Sequence, residues 1–114
     1  MYIESVTLKN FRNYEDKTVD FKDGLNIVIG KNASGKTNLL ESVYCSGIGK
    51  SPRTNKAREM IRWGSDNAYI KVILKKQYSR HIVEYFIDSA DKKIIKIDSI
   101  PLVKQSEILG MLNI

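Results

Sequence analysis

A chain of 114 residues that is 42% hydrophobic and 28% charged has the composition of one globular domain, which excludes disordered and fibrous classes. The net charge of +6 favours polyanionic partners, while a single cysteine, Cys45, and a single histidine, His81, exclude an intrachain disulfide and a zinc site built from those residue types. No apolar run approaches the roughly 20 residues of a membrane helix, and MYIESVTLKN alternates where a signal peptide would be uniformly apolar, so a cytoplasmic protein without membrane contact is expected.

In chain order, Ile3, Val6 and Leu8 give Tyr2 to Leu8 the alternation of a strand. Asn10 to Tyr14 is polar enough to turn, and Thr18 to Phe21 predicts a second short strand. Asp23-Gly24 is a turn signal, and the compact apolar run LNIVIG feeds into GKNASGKT at residues 30–37. Leu39, Leu40, Val43 and Tyr44 then recur at helical spacing until Gly47 and Gly49, with Cys45 read as a small buried hydrophobe. A helix is predicted for Lys56 to Trp63, closed by Gly64.

Beyond it, Tyr69 to Leu74, His81 to Ile87 and Lys93 to Ile97 are rich in β-branched and aromatic residues. The polar turns between them are too short for a parallel crossover, which predicts an antiparallel meander punctuated by Pro101. Val103 to Leu112 reads as a last helix. Trp63, Tyr69, Tyr85 and Phe86 are read as core or hairpin packing, and His81 as structural, since no partner for catalysis adjoins it in sequence.

The segment GKNASGKT has the Walker A spacing, and its setting between an apolar strand and a helix is the one that motif requires. Gly30 and Gly35 allow backbone N–H groups to turn toward phosphate oxygens, at the positive end of the following helix. Lys36 is placed for the β and γ phosphates and Thr37 for Mg²⁺. Hydrolysis also needs a Walker B carboxylate on a neighbouring parallel strand. EYFID and IIKID end in Asp88 and Asp98, but both fall in the predicted meander and lack a second acid, so they are read as turn aspartates. Between Lys50 and Arg62, five basic residues (Lys50, Arg53, Lys56, Arg58 and Arg62) face only Glu59. Charge alone leaves this stretch as either a solvated face or a nucleic-acid surface.

The segments MYIESVTLKNFRNYED, LNIVIGKNASGKTNLLESVY, SPRTNKAREMIRWG and SIPLVKQSEILGMLNI together resemble the N-terminal portion of the RecF family of bacterial recombination mediators. That family lies in the SMC-like branch of the ABC-type ATPases. The resemblance implies a mixed α/β fold, the N-terminal part of a P-loop ABC-type ATPase lobe in which an antiparallel β layer precedes the Walker A unit. Residues 1–114 would then be part of one ATP-binding domain. It implies that Gly30, Lys31, Asn32, Ala33, Ser34, Gly35, Lys36 and Thr37 hold ATP with Mg²⁺ on Thr37. Ala33 stands where the wider branch prefers glycine.

Arg12 takes the place of a basic residue that reaches the nucleotide in that branch; from the residues alone it reads equally as an exposed turn arginine. Ser51, Arg53 and Thr54 match a characteristic stretch of the family. The signature motif and Walker B pair are missing, so an N-terminal fragment of a weak ATPase, inactive alone, is expected. Further implications are an ATP-dependent homodimer that binds double-stranded DNA near single-strand gaps, with RecR, RecO and RecA as partners, and nucleic-acid contact by the basic stretch. Alternatives are a P-loop nucleotide kinase, which usually places its loop after the first strand, and a non-enzymatic interaction module with a vestigial loop.

Overall fold

The computed structural model describes residues 2–21, 38, 41–43, 45–46, 51 and 53–102. Six strands among them form one sheet in the order β2-β1-β3-β4-β5-β6, with every neighbouring pair antiparallel. They are β1 (Tyr2–Phe11), β2 (Tyr14–Asp20), β3 (Asn67–Lys75), β4 (Arg80–Asp88), β5 (Lys93–Ile97) and β6 (Ile100–Pro101). The predicted Walker A strand, residues 30–37 and the predicted Val103 to Leu112 helix lie outside the described residues, as does Lys50.

Alternation along β3 and β4 gives the sheet one apolar face. Ala68, Ile70, Val72 and Leu74 of β3 and Val83, Tyr85 and Ile87 of β4 are all buried on one face. Val6 and Leu8 of β1 and Ile95 and Ile97 of β5 complete that face. Each such aliphatic side chain contributes about 1.5–3 kcal/mol on burial. Against the same core packs a helical segment, with positions 38, 41–43 and 45–46 helical as the spacing predicts, and with Cys45 fully buried.

Three expectations need correction. Strand β1 runs to Phe11 and β2 starts at Tyr14, so the turn is confined to Arg12 and Asn13. The predicted helix over Lys56 to Trp63 is only a four-residue 3₁₀ turn, Ala57–Met60. Met60 is its one buried side chain, and directly after it Ile61 bridges Phe11 while the Arg62 N–H donates to the Asn10 carbonyl at 2.7 Å. Pairing with the end of β1 thus pulls the chain extended, and these backbone bonds replace those a helix would have made. The third correction is Trp63, which packs against neither the core nor a hairpin: it is 98% exposed.

The other aromatics pack as expected. Tyr85 lies in the core, and Tyr69 and Phe86 face each other across β3 and β4 with ring centroids 5.0 Å apart. Asp98 is a turn residue and Asp88 is the last residue of β4, at the head of a turn. The Asp88 carboxylate accepts from the Ala90 and Lys92 N–H groups, and Asp98 accepts from the Ile82 N–H and contacts His81 Nδ1 at 2.6 Å. Pro101 sits in the short outer strand β6 rather than after the meander, a position where its missing N–H is tolerated.

Candidate functional site

Arg12 occupies the β1–β2 turn with φ 52, and its backbone is fixed by an N–H bond to the Met60 carbonyl at 2.7 Å. Its guanidinium reaches the helical segment. Nε donates to Glu41 Oε1 at 2.9 Å and Nη2 to Oε2 at 2.8 Å, a bidentate pair. Ser51 Oγ donates to Oε2 at 2.5 Å, and Arg53 Nη1 lies 3.4 Å from Oε1. The Glu41 side chain is fully buried.

Burial by itself pushes the Glu41 pKa up, but hydrogen bonds from Arg12 and Ser51 and the charges of Arg12 and Arg53 outweigh it and hold the carboxyl below its usual range. The Glu41 hydrogen bond in turn raises Arg12. Two guanidinium groups therefore share one carboxylate, which leaves the cluster net positive.

Around this pair the contacts continue outward. Asn38 Nδ2 donates to Asn13 Oδ1 at 2.7 Å, and Arg53 Nη1 donates to Asn38 Oδ1 at 2.7 Å. Arg12, Asn13, Asn38, Arg53, Arg62 and Trp63 line a cavity of about 640 Å³. Asn38 is the residue immediately after Thr37, so one wall of this cavity adjoins the Walker A segment in sequence. A positively charged recess beside such a segment suits an anionic ligand.

Of the residues singled out in the sequence, Arg12 and Arg53 are brought together on Glu41, with Arg62 in the same cavity wall. Lys56 and Arg58 are exposed on and beside the 3₁₀ turn. Residues 30–37 and Lys50 lie outside the described part. Sequence reading missed Glu41, Asn38, Asn13 and Trp63 as site residues. Glu41 lies on a buried face with Ser42, Cys45 and Ser46, off the apolar stripe that the spacing marks, so the pattern carried no signal for it.

On the opposite sheet face, a depression of about 1150 Å³ includes Lys9, Asp16, Tyr69, Lys71, Glu84 and Phe86 in its lining. Its charges alternate across strands, Lys9 opposite Asp16 and Lys71 opposite Glu84, the arrangement of a solvated sheet face. Among the described residues no group of three His, Cys, Asp or Glu side chains is placed to hold a metal, and no helix is long and apolar enough to cross a membrane.

Residues 1–109 match the family model of the AAA ATPase domain. The chain is 50% identical over 115 aligned residues to the DNA replication and repair protein RecF of Clostridium kluyveri, an alignment that covers all of this chain and 31% of that protein. Among solved structures, the recombination mediator protein RecF–ATP of the RecFOR pathway is 29% identical, with a TM-score of 0.84 over 96% of this chain and 30% of its own. A structure from work on ATP-driven dimerisation and DNA-stimulated activation of SMC ATPases shares the fold at 21% identity, with a TM-score of 0.81 over 99% of this chain and 78% of its own. The chain spans about a third of the curated relatives it matches. On the family match and the likeness to RecF along its whole length, the chain belongs to the AAA ATPase domain family, as a RecF-type sequence with the fold of P-loop ABC-type heads.

Proposed function

We propose that this chain is the ATP-binding part of a RecF-type DNA repair and recombination protein, with Gly30 to Thr37 as its phosphate loop. The observation that carries the reading is the Arg12–Glu41 pair, which anchors the β-layer arginine to the helix four positions after Thr37. The positive excess around Glu41 fits a polyphosphate. Support also comes from the relatives, one of which is described with ATP.

In this reading the backbone N–H groups of residues 30–35 and Lys36 hold the phosphates, and Thr37 supplies a hydroxyl ligand for Mg²⁺. Bound there, the metal would supply charge neutralisation for the phosphates. Arg12, held on Glu41, is the β-layer residue that would reach the nucleotide, already oriented before binding. Its φ of 52 is the left-handed conformation that a two-residue hairpin turn requires.

The wider assignment is that nucleotide binding drives homodimerisation, that the dimer binds double-stranded DNA near single-strand gaps, and that RecR, RecO and RecA act with it in the cytoplasm. It follows the family likeness. Calorimetric titration of the chain and its Lys36→Ala variant with MgATP tests the central step. Binding that the variant loses is expected; equal binding by both, or by neither, would reject the phosphate-loop assignment for this chain.

A further inference from the structure

At the far end of the sheet from Arg12, three polar side chains form a line of contacts. Ser79 Oγ lies 3.2 Å from His81 Nε2, and His81 Nδ1 lies 2.6 Å from Asp98 Oδ2. The other carboxylate oxygen, Oδ1, accepts from the Ile82 N–H at 2.9 Å, and the Asp98 N–H donates to the Ile82 carbonyl at 2.8 Å. Two hairpins bring these residues together. Ser79 closes the β3–β4 turn, its carbonyl accepting from the Lys76 N–H at 2.7 Å, and stands two positions before His81, the spacing that sets both side chains on one face of an extended chain. Asp98 and Ser99, at φ 52 and 70, make the two-residue turn between β5 and β6, the left-handed pair that such a tight hairpin requires. A carboxylate fixed through its second oxygen holds the imidazole with Nδ1–H toward it, which leaves Nε2 to accept from the Ser79 hydroxyl. Leu74 pairs with both Ile3 and His81, so the cluster sits at the Tyr2 end of β1, about 30 Å of strand away from Arg12.

We infer that Ser79, His81 and Asp98 form an acyl-transfer site for small activated acyl compounds whose leaving group departs as an anion. Ser79 is the nucleophile, His81 the general base and Asp98 the positioning residue. The order of contacts, hydroxyl on one ring nitrogen and carboxylate on the other, is the one nucleophilic catalysis by serine uses. Ser79 is exposed and the His81 side chain is 21% exposed, so the carbonyl of a small donor reaches Oγ from solvent. From Lys75 to Arg80 the chain holds Lys75, Lys76 and Arg80 and no acid, a setting that favours an anionic leaving group even with Arg80 paired to Glu4.

In the first step Ser79 Oγ bonds to the acyl carbon while its proton passes to His81 Nε2, and the bond to the leaving group breaks with its electron pair going to the leaving group. His81 then releases that proton to solvent. Water attacks acyl-Ser79 and gives a proton to His81, the bond between the acyl carbon and Oγ breaks, and Oγ takes the proton back as the carboxylic acid departs.

The 114-residue chain and its Ser79→Ala, His81→Gln and Asp98→Asn variants are given excess p-nitrophenyl acetate, with p-nitrophenolate release read by absorbance and acetyl groups located by peptide mass spectrometry. Repeated turnover with acetyl on Ser79 is expected. Ser79→Ala and His81→Gln should each lower kcat/KM about a hundredfold, the low end of a general base's contribution. Asp98→Asn should lower kcat and leave KM as it was, since it acts on the imidazole and not on the substrate. Ser79 is exposed, so its variant leaves the core intact and reads the chemistry alone.

Turnover that survives in Ser79→Ala overturns the inference and assigns the hydrolysis to the imidazole alone. A single round of lysine acetylation without turnover, or no acetyl group on Ser79, overturns it as well. A kcat unchanged by Asp98→Asn overturns the positioning role of the carboxylate.

Discussion

Arg12 and Glu41, 29 residues apart in sequence, form a bidentate ion pair at 2.8 and 2.9 Å whose carboxylate is fully buried. Removing one partner of a buried pair costs about 3–5 kcal/mol, because the remaining charge is left without compensation. Arg12→Ala should therefore consume much of the 5–15 kcal/mol typical of a domain, although Arg53 and Ser51 soften the loss. Glu41→Gln should cost less, since Arg12 is 21% exposed and can be hydrated. Urea unfolding of both variants, of Glu41→Ala and of Arg12→Ala/Glu41→Ala measures this. The double variant should lose less than the two single alanine changes together; strict additivity would show that the pair is not coupled.

Acid should weaken the fold through two carboxylates. Glu41 is held below its usual pKa despite burial, and Asp98 likewise, where partial burial is outweighed by the contact with His81 and the hydrogen bond from the Ile82 N–H. A carboxyl with a lowered folded pKa stabilises fully above its unfolded value, about 4, and that contribution is lost as pH falls through the lower folded value. Thermal midpoints should thus hold from pH 7 to about 5 and fall below about 4. Asp98→Asn should flatten part of that acid limb. An acid limb as steep as the parent's would remove Asp98 from the account.

How much of this was legible depended on whether residues carried a one-sided pattern. Strands β3 and β4 alternate cleanly between core and solvent, so their extent and antiparallel pairing could be read from spacing and turn length. Of strand β2 only the end was read, as Thr18 to Phe21, because as an edge strand it leaves most of its seven residues exposed and its polar first half resembles a loop. The helical propensity of the segment after Lys56 was overridden by the backbone bonds of Ile61 and Arg62 to β1, a long-range effect that spacing does not encode. For the proposed site, the GKNASGKT spacing announces itself in sequence. The Glu41 cluster does not, since it unites residues from three separated segments, and Trp63 looked like core only because tryptophan usually is.

Among the described residues of the basic stretch Lys56 and Arg58 are exposed, whereas Arg53 is committed to Glu41 and Asn38 and Arg62 lies 4.0 Å from Glu15. If this face contacts duplex DNA, Lys56→Ala and Arg58→Ala should each weaken binding alike on unrelated sequences. Each should also lower the slope of log affinity against log salt by about 0.9, the release expected per phosphate contact. Fluorescence anisotropy at several salt concentrations gives the slope. An unchanged slope in both variants would move the DNA surface elsewhere.

Cys45 should be inert in the folded protein. Its side chain is fully buried, its sulfur lies 3.6 Å from Met60 Sδ, and burial pushes the thiol up to about 12. At pH 8 the thiolate, the reactive form, would then be only about one part in ten thousand of the folded population. Reaction with a thiol reagent should therefore proceed through opening of the helical segment from the sheet, at a rate set by that opening free energy. Native labelling should be at least about a thousandfold slower than labelling in concentrated urea. Met60→Ala should accelerate it, because deleting a buried methionine costs about 2–5 kcal/mol and leaves a cavity beside the sulfur. Rapid, stoichiometric labelling of the native chain would mean that the helical segment is not held against the core, and that the Arg12–Glu41 tie does not hold it in place.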